Sequence, residues 1–333
     1  MRGPVWSNER GAALLTVMMI VAAMSVAALA VTQSVTQATM RSRALDAQAQ
    51  LLLYAASAEE VAKARMAEVL TPLDNKLNSD LPGLGVPQII PLDQGALTVT
   101  ARDASNCFNV NQLTRSAEGG VLAADPDAQK AYQTLLTETI EDGFSSDMVA
   151  LVSALTDWMD DNTVPSNGGA EDGYYLSEVP SYRTSGQKLS SVSELRAMRG
   201  YTIDVYMQIR PLLCALPDAV DSTGRKLNIN TLDERHAPLL KIAFGEALSM
   251  DDARELISLR PLGGWTDVEA MLEDPLLNRI DPDRIRTDQL GVLTSLVEVS
   301  ANVSYRGHDM TMLYLFQVEP GRPIKTILRE RIG

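Results

Sequence analysis

Carboxylates are concentrated around one glycine-rich segment of this sequence. The five residues are Asp157, Asp160, Asp161, Glu171 and Asp172. Without a cation, so many like charges on one loop would repel one another strongly. Hard oxygen ligands on a flexible loop suit Ca²⁺, which takes about six to eight of them. The segment therefore predicts a calcium site with one or two ions, although its spacing does not match an EF-hand.

Two other interpretations of the acidic segment stay open. One is a solvated acidic loop that binds nothing. Paired carboxylates are also the machinery of glycoside hydrolysis, but the sequence shows no second acid in a separate cleft setting. Both histidines, His236 and His308, are isolated, and no Ser/His/Asp or Cys/His set emerges. We therefore expect no catalytic site.

The N-terminal segment predicts on which side of a membrane these carboxylates lie. Residues Ala12 to Val31 carry no charge, and about 20 such residues span a bilayer as a helix. Arg2 and Arg10 precede the span, and the next charge is Arg41, so the short tail stays in the cytoplasm. We place the membrane-spanning helix at residues 12–33. Everything after it lies on the side of the membrane opposite the cytoplasm. A cleaved secretory signal is the alternative.

The sequence after the span favours an anchor over a cleaved signal. Residues Val35 to Val69 contain neither glycine nor proline and are rich in good helix formers. We predict one continuous helix of about 55 residues from the membrane to Val69, ended by Pro72.

The remaining chain predicts a sheet interrupted by a helical block. Period-two alternation marks residues 96–101, and again 297–304, 310–318 and 324–331, with turn chemistry between the last three. A terminal sheet must pack on something, and the long helix is the available partner. We predict an α+β fold in which residues 34–104 and 293–333 form one helix-on-sheet domain, and 105–292 form an inserted all-α domain.

Within the insertion, residues 227–290 resemble a helix-hairpin-helix or SAM-like unit, entered through Asn228–Thr231. Such units often bind DNA through hairpin amides. Here acidic residues stand where a phosphate-binding unit needs basic ones, and the net charge of the chain is −14. No nucleic-acid partner is expected, and a packing module is the simpler interpretation.

The two cysteines, Cys107 and Cys214, lie on the predicted far side of the membrane. Cysteines in an oxidising compartment tend to pair, so a disulfide is expected. Two buried free thiols are the alternative.

The run Asn8–Val17 resembles a type IV prepilin leader. The resemblance implies a leader of residues 1–11, cleavage between Gly11 and Ala12 by a prepilin peptidase, and methylation. Pilins usually carry glutamate at the fifth mature position, where this sequence has Thr16. In this respect the sequence resembles the minor pseudopilin K class of type II secretion systems, which lacks this glutamate.

Three other features resemble the same class: the pilin-like domain with its large insertion, the Asn-Ile-Asn-Thr entry, and the stretch Asp157–Tyr182. The resemblance implies calcium ligands at the five carboxylates and a Cys107–Cys214 bridge. It implies a single-pass protein of the bacterial inner membrane with its body in the periplasm. Its partners would be minor pseudopilins I, J and H, the major pseudopilin, and secreted proteins.

The predicted function is therefore a minor pseudopilin at the tip of the periplasmic pseudopilus, which initiates or limits its assembly. Two alternatives remain: a membrane-tethered helix-hairpin-helix protein that binds DNA, and a calcium-dependent envelope hydrolase. Salt-sensitive DNA affinity would indicate the first, and turnover dependent on Asp160 or Glu171 the second.

Overall fold

The long N-terminal helix is one uninterrupted element, α1 (Arg10–Leu70). The computed structural model describes residues 10–141, 147–221, 226–281 and 285–332. An 18-residue window near the N-terminal end of the helix has a mean hydropathy of 2.5, and none of it is buried inside the protein. The helix is therefore long and apolar enough to cross a membrane. It stops one residue after the predicted Val69, in a turn that contains Pro72.

The other elements follow in chain order. The helices are α2 (Pro126–Thr139), α3 (Met148–Met159), α4 (Asp172–Tyr175), α5 (Ile203–Ile209), α6 (Asp218–Asp221), α7 (Ala237–Phe244), α8 (Met250–Ser258) and α9 (Val268–Leu272). The strands are β1 (Gln88–Leu92), β2 (Gly95–Asp103), β3 (Phe108–Asn109), β4 (Thr114–Ser116), β5 (Leu122–Ala124), β6 (Leu213–Cys214), β7 (Leu227–Asn228), β8 (Leu290–Gly291), β9 (Leu296–Tyr305), β10 (His308–Gln317) and β11 (Lys325–Ile332).

Five strands form the main antiparallel sheet, in the order β1-β2-β9-β10-β11. Its last four strands confirm the four segments predicted from period-two alternation. The prediction missed β1, because Pro91 and the neighbouring glycines suggested a connector. Proline is tolerated there because β1 is an edge strand, and its missing N–H costs no ladder bond on the outer side.

One face of α1 packs on this sheet, as the predicted pilin-like α+β fold requires. Alanines at Ala47, Ala55 and Ala58 are almost fully buried, and their small side chains let the helix lie close to β9 and β10. The Tyr314 hydroxyl donates to the carbonyl of Ala55 at 2.8 Å across the interface. The helix and the sheet therefore share one core, formed by residues from both ends of the chain.

A buried ion pair joins α1 to the outermost strand. The Glu59 side chain is 8% exposed and accepts two bonds from Arg329, at 2.7 and 2.8 Å, and one from Thr326 at 2.7 Å. The hydrogen bond from Arg329 is the largest cause that lowers the pKa of Glu59 to about 2.

We expect Glu59→Gln to lower the free energy of unfolding by about 1–3 kcal/mol, since it removes charge-assisted bonds and leaves Arg329 without its partner. A carboxyl group with a lowered folded-state pKa stabilises the protein above its unfolded pKa near 4.5 and loses that effect as the pH falls towards 2. Urea unfolding at pH 6 and pH 3 measures both. Glu60→Gln is the matched control, because the Glu60 side chain is 73% exposed. Equal losses in the two variants would contradict the assignment.

The helical block is inserted between β2 and β9, which are neighbours in the sheet. It contains hydrophobic cores of its own and also touches the main sheet through a small cluster that includes Leu216, Val220 and Leu315. The expectation of an all-α insertion was wrong in one respect. Three two-stranded ladders, β3-β6, β4-β5 and β7-β8, tie its segments together. Strands this short carry no readable alternation, so the sequence gives no signal for them.

Candidate functional site

The acidic site is built where α3 ends. Asp147 begins this helix by accepting hydrogen bonds from the N–H groups of Val149 and Ala150. The helix is apolar and largely buried, and its C-cap residue is Asp160. Residues three apart share a helix face, so Asp157 and Asp160 lie on the same side. The loop that follows returns Glu171, immediately before α4, to this end of the helix.

Three of the carboxylates at the end of α3 are buried. Asp157 is fully buried, and Asp160 and Glu171 are each 6% exposed. Burial is the main cause that raises all three pKa values, with that of Asp160 reaching about 6 and that of Glu171 about 7. The charge of Asp157 raises the pKa of both other groups further. These carboxyl groups therefore hold protons at a higher pH than exposed carboxyl groups do, and a bound cation could replace those protons.

The glycine-rich loop is shaped around Asp157. The N–H of Ser166 donates to both oxygens of this carboxylate, at 3.2 and 3.0 Å. A Cβ at Gly169 would lie only 2.0 Å from Oδ2 of Asp157, so no other residue fits without displacing the carboxylate. Gly168 has a φ of +79°, a conformation that favours glycine. These two glycines let the loop backbone close over the acidic end of α3.

One carboxylate oxygen at the site lacks a partner. Oε1 of Glu171 is buried and accepts no hydrogen bond from any residue that the structure describes. A buried acceptor in this state is costly unless a cation or a donor reaches it. Within the described ranges, no three Asp, Glu, His or Cys side chains already converge as metal ligands. The donor set nevertheless fits Ca²⁺, which binds oxygen atoms in flexible geometry.

The other two predicted ligands lie at the edge of the site with partners of their own. Oδ2 of Asp161 accepts a hydrogen bond from the N–H of Leu122 at 2.5 Å. Asp172 forms an ion pair with Arg183 at 2.6 Å and accepts two further bonds from Thr184. The structure therefore buries three of the five predicted carboxylates near the end of α3, without closing them into a ligand set, and places the other two around them.

Sequence reasoning missed one residue that holds the loop. Arg199 donates to the carbonyl of Gly169 at 3.0 Å, and its guanidinium lies 5.1 Å from the ring centroid of Tyr174. Nothing in the local sequence marks it, because it follows the loop by about 30 residues and belongs to no motif. Behind the loop, Trp158 packs edge-on against Tyr175.

The structure joins Cys107 and Cys214 in a disulfide with a Cα–Cα distance of 5.7 Å. The bridge lies beside the parallel ladder of β3 and β6, in which Asn109 pairs with Cys214. It therefore fastens the start of the inserted block to a segment 107 residues later.

The processing residues lie at the start of α1. Most of the predicted leader, residues 1–9, lies outside the described residues, and Gly11 and Ala12 fall in the first turn of the helix. The Thr16 hydroxyl donates to the carbonyl of Ala13 at 2.9 Å. It is thus satisfied within its own helix, and cleavage after Gly11 stays a prediction.

The helix-hairpin-helix unit consists of α7, α8 and α9 around its own core. The hairpin predicted around residues 244–246 lies between α7 and α8. A different loop, between α8 and α9, contacts a loop of the pilin-like domain. The N–H of Gly263 donates to Asp80 at 2.8 Å, its carbonyl accepts from Asn78 at 3.2 Å, and Arg260 donates to Ser79 at 2.6 Å. These bonds fasten the helix-hairpin-helix unit to the pilin-like domain of the same chain.

Comparison with known proteins agrees with this architecture. Family models described as type II secretion system (T2SS), protein K, match residues 106–218 and 227–292. Relatives called type II secretion system protein K are 33% identical in Pectobacterium carotovorum subsp. carotovorum and 32% identical in Aeromonas hydrophila. Each alignment covers 81% of this chain and 81% of the relative.

A solved structure matches as well. It is a chain in the crystal structure of the GspK-GspI-GspJ complex from the enterotoxigenic Escherichia coli type 2 secretion system. The match has a TM-score of 0.72 at 27% identity, and covers 88% of this chain and 99% of that one. The chain described here therefore belongs to the protein K family of type II secretion systems, a family of minor pseudopilins.

Proposed function

We propose that this protein is the tip subunit of a periplasmic pseudopilus, where it initiates or limits assembly for the export of folded proteins. The observation that carries the proposal is the uncharged Thr16, whose hydroxyl is satisfied by Ala13. A carboxylate inside the bilayer needs a partner such as the free amine of a preceding subunit. A chain without this carboxylate gains little binding energy by inserting below an existing subunit. Its own N-terminal amine at Ala12 can still attract the glutamate of the next subunit.

The shape of the molecule supports the same position. The inserted block spans residues 105–292 and attaches to the face of the sheet opposite α1, through Leu216, Val220 and Leu315. A block of this size beside the pilin-like sheet would collide with a subunit stacked above it. At the outer end of a filament no such subunit exists.

The partners follow from this position. The matched structure contains GspI and GspJ together with GspK, so we propose minor pseudopilins I and J as neighbours of this chain. Minor pseudopilin H and the major pseudopilin would be further contacts, and a prepilin peptidase would cut after Gly11. The apolar end of α1 would anchor the precursor in the inner membrane, with the body in the periplasm.

We also propose that the acidic site holds one or two Ca²⁺ ions. Asp157, Asp160 and Glu171 would bind the ion directly, because all three are buried and none forms an ion pair with a basic side chain among the described residues. Asp161 and Asp172 would contribute from the edge once they leave their present partners. The ion would fix the glycine-rich loop against the end of α3.

Photo-crosslinking tests the tip position. A photoreactive amino acid at Leu45, 67% exposed on α1, should crosslink to other pseudopilins in assembled filaments. The same probe at Val179, 96% exposed on the inserted block, should give no crosslink to a pseudopilin. Thr16→Glu should leave assembly almost unchanged. The proposal is wrong if this chain is found at intervals along the shaft with major subunits on both sides.

A further inference from the structure

Residues 197–201 form a support beside the acidic site. The hydroxyl of Tyr201, a buried residue, donates a hydrogen bond to the carbonyl of Leu151 in α3 at 2.9 Å. At the other end of the segment, the carbonyl of Ala197 accepts a bond from the Tyr182 hydroxyl at 2.7 Å. The segment is therefore fastened both to the chain after α4 and to the helix that carries the first two carboxylates of the site.

Arg199 lies in the middle of this segment and contacts the chain on both sides of Glu171. Before Glu171, the carbonyl of Gly169 accepts a hydrogen bond from Nη1 of the arginine at 3.0 Å. After it, the hydroxyl of Tyr175 accepts a bond from the backbone N–H of Arg199 at 3.3 Å. The guanidinium also lies 5.1 Å from the ring centroid of Tyr174. One residue thus holds the backbone two positions before Glu171 and three to four positions after it.

The bond to Gly169 also fixes the orientation of one peptide group. In a trans peptide the C=O and the N–H point in opposite directions. The carbonyl of Gly169 accepts from Arg199, and the N–H of Ala170, which belongs to the same peptide group, donates to the carboxylate of Asp157. Arg199 and Asp157 therefore hold this peptide from opposite sides, and a rotation of the peptide would break both bonds.

The contribution of Arg199 is geometric and is opposed by its charge. Its side chain donates to a carbonyl group and not to a carboxylate. A positive charge beside the site repels Ca²⁺, so the charge by itself would weaken ion binding. A loop that is already ordered before the ion arrives avoids the free-energy cost of ordering it at that step. The two effects have opposite signs, and an experiment can therefore distinguish them.

We propose that Arg199 is a positioning residue that sets the calcium affinity of the acidic site. It holds the backbone around Glu171 against the end of α3, so that the ion has only side chains left to rearrange. Preorganisation outweighs charge repulsion in this proposal. The inference rests on the proposed calcium site and adds to it a residue outside the acidic segment.

Calcium titration by calorimetry on the full chain in detergent micelles tests this role. Arg199→Met keeps most of the apolar stem of the side chain and removes its hydrogen-bond donors. We expect the dissociation constant for Ca²⁺ to rise at least about tenfold, which corresponds to about 1.4 kcal/mol. Loss of the positive charge alone would lower this constant. Arg199→Lys retains a donor at the end of a long side chain and should recover most of the affinity.

Hydrogen exchange distinguishes positioning from general damage to the fold. In metal-free protein, amides of residues 166–171 should exchange faster in Arg199→Met than in the wild type, because their backbone is no longer held. At saturating calcium the two proteins should exchange alike, since the ion then orders the loop. Arg196→Met removes an exposed arginine three residues earlier and should match the wild type in both measurements.

The outcomes separate this inference from the calcium site itself. A wild-type protein that binds no calcium overturns both. If the wild type binds calcium and Arg199→Met binds it as tightly or more tightly, the site stands and the positioning role is wrong. Faster exchange in Arg199→Met that persists at saturating calcium would indicate general destabilisation and would also overturn the role.

Discussion

Removal of the Cys107–Cys214 disulfide is expected to lower the free energy of unfolding by about 4–5 kcal/mol. The bridge closes a loop of 107 residues, and the stabilisation from restricting the unfolded chain grows with loop length. It also holds β3 against β6, a ladder too short to persist alone. The double variant Cys107→Ser/Cys214→Ser avoids a leftover thiol. Urea unfolding followed by circular dichroism measures the loss.

The reductant provides the control for this experiment. The wild-type protein under reducing conditions should approach the stability of the double variant, whereas the variant should not respond to reductant. A fully reduced wild-type protein as stable as the oxidised one would contradict a stabilising role.

The helix-on-sheet part of the fold was predictable because its signals are local and long. The uncharged span and the absence of glycine and proline from Val35 to Val69 indicate α1 within one to two residues. Strand alternation over eight or more residues indicates β9, β10 and β11. The missed β1 contains Pro91, a residue that usually argues against a strand and is acceptable only because this strand lies at an edge.

The acidic site was predictable in part for the same reason. Asp157 and Asp160 are neighbours on one helix face, so their proximity follows from spacing alone. Their burial does not follow from spacing, because it depends on how the loop packs over α3. The pairing of Asp172 with Arg183 and the bond from Arg199 to Gly169 are set by loop geometry.

Contacts between segments that are distant in the chain could not be predicted from the sequence. The carboxylate of Asp80 accepts a hydrogen bond from the N–H of Gly263, in the loop between α8 and α9, across 183 residues of chain. The sequence argued against DNA binding from the charge of the unit alone. The structure adds that the unit is joined to the pilin-like domain of the same chain.

Calcium is expected to stabilise this protein strongly at neutral pH. At a free concentration of about one hundred times the dissociation constant, an ion bound by the folded state alone adds about 2.7 kcal/mol. The melting temperature of metal-free protein should therefore rise on addition of CaCl₂ and fall again with excess chelator. Glu171→Gln should lose this response. It should also be more stable than the metal-free wild type, because it removes a buried charge whose Oε1 has no partner.

The control for this experiment is Glu141→Gln, an exposed glutamate of the same block, which should respond to calcium like the wild type. The absence of a calcium response in demonstrably metal-free wild-type protein would reduce the site to a solvated acidic loop. A variant Glu171→Gln that still responds fully would show that the ion binds elsewhere.

The dependence of the protein's stability on pH should change sign when calcium is added. In metal-free protein the pKa of Glu171 is raised from 4.5 to about 7 and that of Asp160 from 3.8 to about 6. The folded state therefore binds more protons than the unfolded state between about pH 4 and pH 7, and stability falls as the pH rises through this window. For Glu171 alone the change is of the order of 3 kcal/mol.

Calcium competes with these protons, so its stabilisation should grow over the same window. Melting temperatures at pH 5.5 and 7.5, each with calcium and with chelator, distinguish the two trends. A metal-free protein that becomes more stable from pH 5.5 to 7.5 would show that these carboxylates are ionised and solvated in the folded state.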